Sequence, residues 1–127
     1  MAHLLIESTA KTPHINFNGQ TGLFEIKGMS CSEYAFNFYK PVFDWLDEYA
    51  RHPNDKTTVN IQLKYFNTSS AKCILQLLEK IGNLQEQKRN IEVNWYYEKD
   101  DEQMIADGEN YSVLLGLPFQ LKELNGH

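Results

Sequence analysis

The stretch KTTVNIQLKYFNTSSAKCILQLLEK, residues 56–80, changes its periodicity in mid-course. From Thr57 onward Val59, Ile61, Leu63 and Tyr65 fall on every second position, with Asn60, Gln62 and Lys64 between them. That alternation predicts a strand over Thr57–Phe66 with one buried face and one partly wetted face. After residue 70 the spacing turns helical: Ala71, Ile74, Leu75, Leu78 and Ile81 align on one side, which predicts a helix running to about Lys88. Between the two lie Asn67, Thr68, Ser69 and Ser70, four small polar residues at a strand-to-helix corner.

The same pattern continues downstream. Ile91–Tyr97 reads as the next strand, and Asp100 to about Leu115 as a helix facing inward through Met104, Ile105, Gly108 and Tyr111. Gly116 and Pro118 end that helix, and Phe119, Leu121 and Leu124 form a last short strand. Strand-helix-strand crossovers of this length suit parallel neighbours and a right-handed connection. Upstream, His3–Glu7, His14–Asn18 and Leu23–Lys27 alternate as strands, the last two joined through Gly19-Gln20-Thr21-Gly22 as a hairpin. A helix over Ser32–Arg51 follows, with Ala35, Phe38, Val42, Trp45, Leu46 and Tyr49 on one face and Ser32 as its cap. Phe36, Tyr39 and Phe43 form a second apolar stripe beside the first, open to two readings: completion of the core or a surface for a partner. Pro41 predicts a kink or local break near Asn37–Pro41. The expected fold is thus a single α/β domain over residues 1–127, a mixed sheet of four to six strands with helices mainly on one face.

Bulk properties narrow the function classes. With 127 residues, 42% hydrophobic and 13% aromatic content, the chain can bury a continuous core. A net charge of -5 and the lack of a basic stripe argue against nucleic acid as a partner. The apolar runs are short and the start MAHLLIESTA lacks the features of a signal peptide, so no membrane insertion and a cytoplasmic location are expected. Cys31 and Cys73 read as free thiols, Cys73 as a buried structural one.

Enzyme constellations are sparse. His3, His14, His52 and His127 stand far apart, and no phosphate-binding loop, nucleophile elbow or zinc signature occurs. The acidic run Glu98, Asp100, Asp101, Glu102, with Asp107 and Glu109 beyond it, is the strongest metal candidate and the basis of a rival reading as a small metal-dependent enzyme. Carboxylates at a helix start, however, cap free amides and complement the helix dipole without any cation, so no metal and no cofactor are expected. At the Asn67–Ser70 corner one residue suffices as a cap, and four stand in a row. The residues alone leave two readings: cap only, or cap plus a phosphorylation switch, since a phosphate there meets free amides at the positive end of a helix.

KTTVNIQLKYFNTSSAK, GLFEIKGMS, FYKPVFDWLDEY, VNWYYEKDDEQM and LPFQL together resemble the SiaC family of bacterial regulatory phosphoproteins nearly end to end. The resemblance implies a layout and partner-switching logic like those of STAS-type anti-sigma-factor antagonists, no catalytic activity, and Thr68 as the phosphoacceptor. It further implies a cognate protein kinase and a PP2C-like phosphatase acting on Thr68, and an unmodified form that binds and activates a diguanylate cyclase. Cyclic-di-GMP signalling and biofilm or aggregation behaviour would follow. An anti-sigma-factor antagonist acting on transcription is the rival within the class. The residues expected to meet a partner are Tyr65, Phe66, Asn67, Ser69 and Ser70 at the corner, with Phe36, Tyr39 and Phe43 on the first helix.

Overall fold

The computed structural model describes residues 3–124 of the chain. Six strands form one sheet: β1 Leu4–Ile6, β2 His14–Asn18, β3 Leu23–Ser30, β4 Lys56–Phe66, β5 Asn90–Tyr97 and β6 Phe119–Glu123. Their spatial order is the order of the chain, β1-β2-β3-β4-β5-β6. The two pairings at the front are antiparallel, and β3–β4, β4–β5 and β5–β6 are parallel. The crossovers carry α1 Ala35–Tyr49, α2 Thr68–Gly82 and α3 Glu102–Leu115. Parallel strands laid down one after another in a single direction, with crossovers of one hand, place successive helices on the same face.

Cross-strand register shows that face directly. Phe24, Val59, Val93 and Phe119 form one row and Ile15, Ile26, Ile61, Trp95 and Leu121 the next. Phe24 packs edge-on against Trp45 and Tyr49 of α1, and the Trp95 indole donates to the Met104 carbonyl of α3 at 2.9 Å. The opposite face carries Asn16, Glu25, Asn60, Asn94 and Gln120 in one row, the wetted side that the alternation of β4 implied. There Asn94 donates to Asn60 and Glu92. The Asn94 hydrogen bond, and the Lys56 ammonium, hold the Glu92 carboxyl below its ordinary range.

Two glycines are required by space. In the β2–β3 hairpin Gly22 has φ +77°, and a Cβ there would lie 2.4 Å from the Lys56 carbonyl oxygen. Gly108 of α3 lies directly on Trp95, where a Cβ would come within 2.6 Å of the indole.

Several local expectations are corrected. α1 starts at Ala35 with Tyr34 as a cap that makes no side-chain bond, while Ser32 Oγ accepts from the Tyr34 amide at 3.0 Å. Pro41 lies inside α1, which continues through it to Tyr49. α2 ends at Gly82 and passes into a 3-10 turn, Asn83–Gln87, closed by Lys88 in the left-handed region. β3 runs three residues beyond Lys27, to Ser30, and its register with β4 shifts between Gly28 and Met29. Gly28 faces Leu63 and Met29 faces Tyr65, so Lys64 is an extra residue, a bulge. Beyond it the alternation inverts: Tyr65, placed inward by period-two counting, is exposed, and Phe66 packs against Trp95 and Tyr111.

Candidate functional site

The strand-to-helix corner is built from its cap outward. Asn67 has extended backbone angles, and its side-chain oxygen accepts from the Ser70 amide at 2.8 Å, which makes it the N-cap of α2. Its amide nitrogen donates to the Ser32 carbonyl at 3.1 Å and its backbone N–H to the Ser30 carbonyl at 3.0 Å, fastening the helix start to the end of β3. Thr68 is therefore the first helical residue and is exposed, with its hydroxyl not engaged in capping.

Behind Thr68 lies a buried polar chain. Ser30 Oγ donates to Ser70 Oγ at 2.8 Å, and since a serine hydroxyl has one proton, the Tyr39 hydroxyl at 2.7 Å must donate to Ser30. Burial pushes the Tyr39 phenol well above the ordinary tyrosine value, so it keeps the proton it donates. Three elements, β3, α1 and α2, thus meet in hydrogen bonds directly beneath the corner.

In front of Thr68 runs an open groove lined by Phe36 of α1 and Thr68, Ser69, Lys72, Cys73 and Gln76 of α2. Phe36 is 54% exposed. Cys73 is buried at the groove floor, and burial raises its thiol. The two features singled out separately in the sequence, the polar corner and one ring of the second aromatic stripe, therefore share one surface.

The remaining expected partner residues divide. Tyr39 and Phe43 are buried, at 0% and 5% exposure, which removes them from the surface. The reason is that α1 packs against α2 as well as the sheet, so it needs a wider apolar face than one neighbour demands: Lys80 of α2, paired with Asp47, lies over the Phe43 ring. Ser70 is also fully buried, held by Ser30, and is likewise removed from the surface. Tyr65 is exposed but lines a neighbouring groove with Lys64, Asp101, Gln103 and Asp107, and Phe66 is half-buried. Sequence reasoning missed Ser30, the Tyr39 hydroxyl and Lys72. Only Lys72 had a signal there, its spacing of four from Thr68 on one helix.

Of the acidic run, Asp101 serves as a helix cap and Glu102 lies in the first turn of α3. Asp101 accepts from the Met104 amide at 3.0 Å as the N-cap of α3. Among the described residues no three His, Cys, Asp or Glu side chains group as metal ligands. No helix of the described residues is long and apolar enough to cross a membrane.

A sequence model described as SiaC family regulatory phosphoprotein matches residues 6–124. The chain belongs to the SiaC family. A relative from Pseudomonas aeruginosa (strain UCBPP-PA14) is 25% identical over 122 residues, 96% of this chain and 97% of the relative. Apo-SiaC from Pseudomonas aeruginosa, at 24% identity, superposes with a TM-score of 0.86 over 96% of this chain and 99% of that one. Pseudomonas aeruginosa SiaC described as the activator of the diguanylate cyclase SiaD, in a crystal structure of their complex, gives 0.87 at 24% identity over 95% and 99% of the two chains. The likeness to these structures is one of fold, and it includes the six-stranded sheet and the three helices that frame the corner. Thr68 is the one hydroxyl residue of the corner that is exposed in this SiaC family member.

Proposed function

We propose that this chain is a non-catalytic partner-switching regulator: unmodified, it binds and activates a diguanylate cyclase, and phosphorylation of Thr68 releases the cyclase. The observation that carries this reading is the position of Thr68, exposed at the first residue of α2 and sharing one groove with the exposed ring of Phe36. Family membership and the SiaC–SiaD complex support the class of partner. A cognate kinase and a PP2C-like phosphatase set the state of Thr68, and the output is cyclic-di-GMP and, through it, biofilm or aggregation behaviour. The setting is the cytoplasm.

The chemistry follows from the site. Phosphate adds about -1.5 to -2 charges at an exposed helix start, where the dipole is favourable, so the free domain keeps its fold. Against a docked partner the same group loses water, and an imperfectly paired phosphate costs several kcal/mol, enough to move affinity by orders of magnitude.

The test is cyclase activity and complex formation with the diguanylate cyclase of the same organism, using unmodified, Thr68-phosphorylated and Thr68→Ala chains. Unmodified and Thr68→Ala protein should bind and raise the rate of cyclic-di-GMP formation, and the phosphorylated form should do neither. Kinase-treated protein carrying its phosphate elsewhere by mass spectrometry, or full binding by the Thr68-phosphorylated chain, refutes the reading.

A further inference from the structure

The groove beside Thr68 contains its own cation. Lys72 lies four residues beyond Thr68 in α2, so the two side chains are stacked neighbours on one helix face, and both line the groove that Phe36 closes on the other side. Lys72 makes no ion pair among the described residues. Its helical neighbours Ser69, Leu75 and Gln76 carry no carboxylate, and the first turn of α2 has no acidic residue. Lys80 one face further on shows the contrast, being already committed to Asp47 at 2.7 Å. The helix start is also less free than it would ordinarily be, because Asn67 occupies the Ser70 amide.

We infer that Lys72 pairs in cis with the phosphate on Thr68 and holds it across the mouth of the groove, where it covers Phe36. Lys72 is then a positioning residue of the switch. This rests on the reading of Thr68 as the modified residue, and it adds that the phosphate acts from a docked position and not as a mobile charge. A phosphothreonine without that cation points into solvent, leaves the ring accessible and releases the partner less completely.

The experiment uses the full chain with phosphothreonine installed co-translationally at position 68, in the parent sequence and with Lys72→Gln or Lys72→Arg. Lys72 is exposed, so neither change should unfold the domain. Phosphorus NMR follows the second phosphate ionisation, near pH 6 for an ordinary phosphothreonine. In the parent chain it should lie below that value; Lys72→Gln should raise it by about 0.3 units or more, as loss of an exposed ion pair implies. Lys72→Arg should restore it, and about 1 M salt should erase the difference. The phosphorylated Lys72→Gln chain should also retain more cyclase binding than the phosphorylated parent. Identical ionisation in parent and Lys72→Gln overturns the pairing and leaves the Thr68 switch standing. Full cyclase binding by the phosphorylated parent overturns the switch itself, while the titration still decides whether Lys72 holds the phosphate.

Discussion

Replacing Ser30 by alanine should be far more damaging than removal of one small hydroxyl suggests. Ser30 is the middle member of a buried chain in which Tyr39 donates to it at 2.7 Å and it donates to Ser70 at 2.8 Å. Tyr39→Phe deletes the outer donor and leaves Ser30 bonded to Ser70, for a loss of about 1 kcal/mol. Ser30→Ala removes two hydrogen bonds and strands the Tyr39 hydroxyl in a fully buried position, which brings the cost to about 2–4 kcal/mol. In the double variant the stranded donor is gone, so the total should be about 2 kcal/mol and fall short of the sum of the single costs by 1 kcal/mol or more. Urea unfolding reads this directly: with a slope near 2 kcal/mol per molar, Ser30→Ala should lower the midpoint by about 1–2 M and Tyr39→Phe by about 0.5 M. A cycle additive to within about 0.3 kcal/mol would refute the hydrogen bond between Tyr39 and Ser30.

Three further outcomes follow from neighbouring contacts. Asn67→Ala should cost about 1 kcal/mol, and Thr68→Ala only a few tenths, because Asn67 and not Thr68 receives the Ser70 amide; equal losses in chemical denaturation would overturn that assignment. Gly108→Ala should destabilise by about 1–2 kcal/mol despite the better helix propensity of alanine, since the new Cβ meets Trp95 and Leu121 below 3.0 Å, and a thermal midpoint at or above the parent's would show that the indole has room to move. Phe36→Ser should weaken cyclase binding at least tenfold while leaving the unfolding midpoint nearly unchanged, because the ring is half exposed; unchanged affinity would take Phe36 out of the partner surface.

Much of this was legible in the chain because the signals are local. Alternation in β4 up to Leu63, the helical stripe of α2 and the hairpin between β2 and β3 all depend on residues within a few positions of one another. The corner stood out because four cap-forming residues adjoin there, and within it Thr68 was singled out by the family resemblance alone; choosing Asn67 as the cap needed the backbone angles that only the fold supplies. What was missed is non-local. Gly28 looks like the end of a strand, yet β3 continues to Ser30 because β4 lies alongside to pair with it, and so the central serine of the buried chain was hidden in what read as a loop. The two stripes of α1 were visible as apolar, but their depth is set by α2, which packs on the side that a helix resting on a sheet alone would leave open.

The bulge at Lys64 has a role beyond irregularity. A strand is a two-state counter: each residue added toggles which side the chain presents at its exit. One surplus residue in β4 resets that parity just before the corner, so the chain enters α2 with the half-buried Phe66 packed against Trp95 and Asn67 delivered to the carbonyls of Ser30 and Ser32. Were Lys64 instead paired in regular register with Met29, the uninterrupted count would aim Tyr65 inward and Phe66 outward, and turn the start of α2 away from its anchors. The orientation of Thr68 toward solvent is thus set four residues earlier, by a lysine that does not touch it.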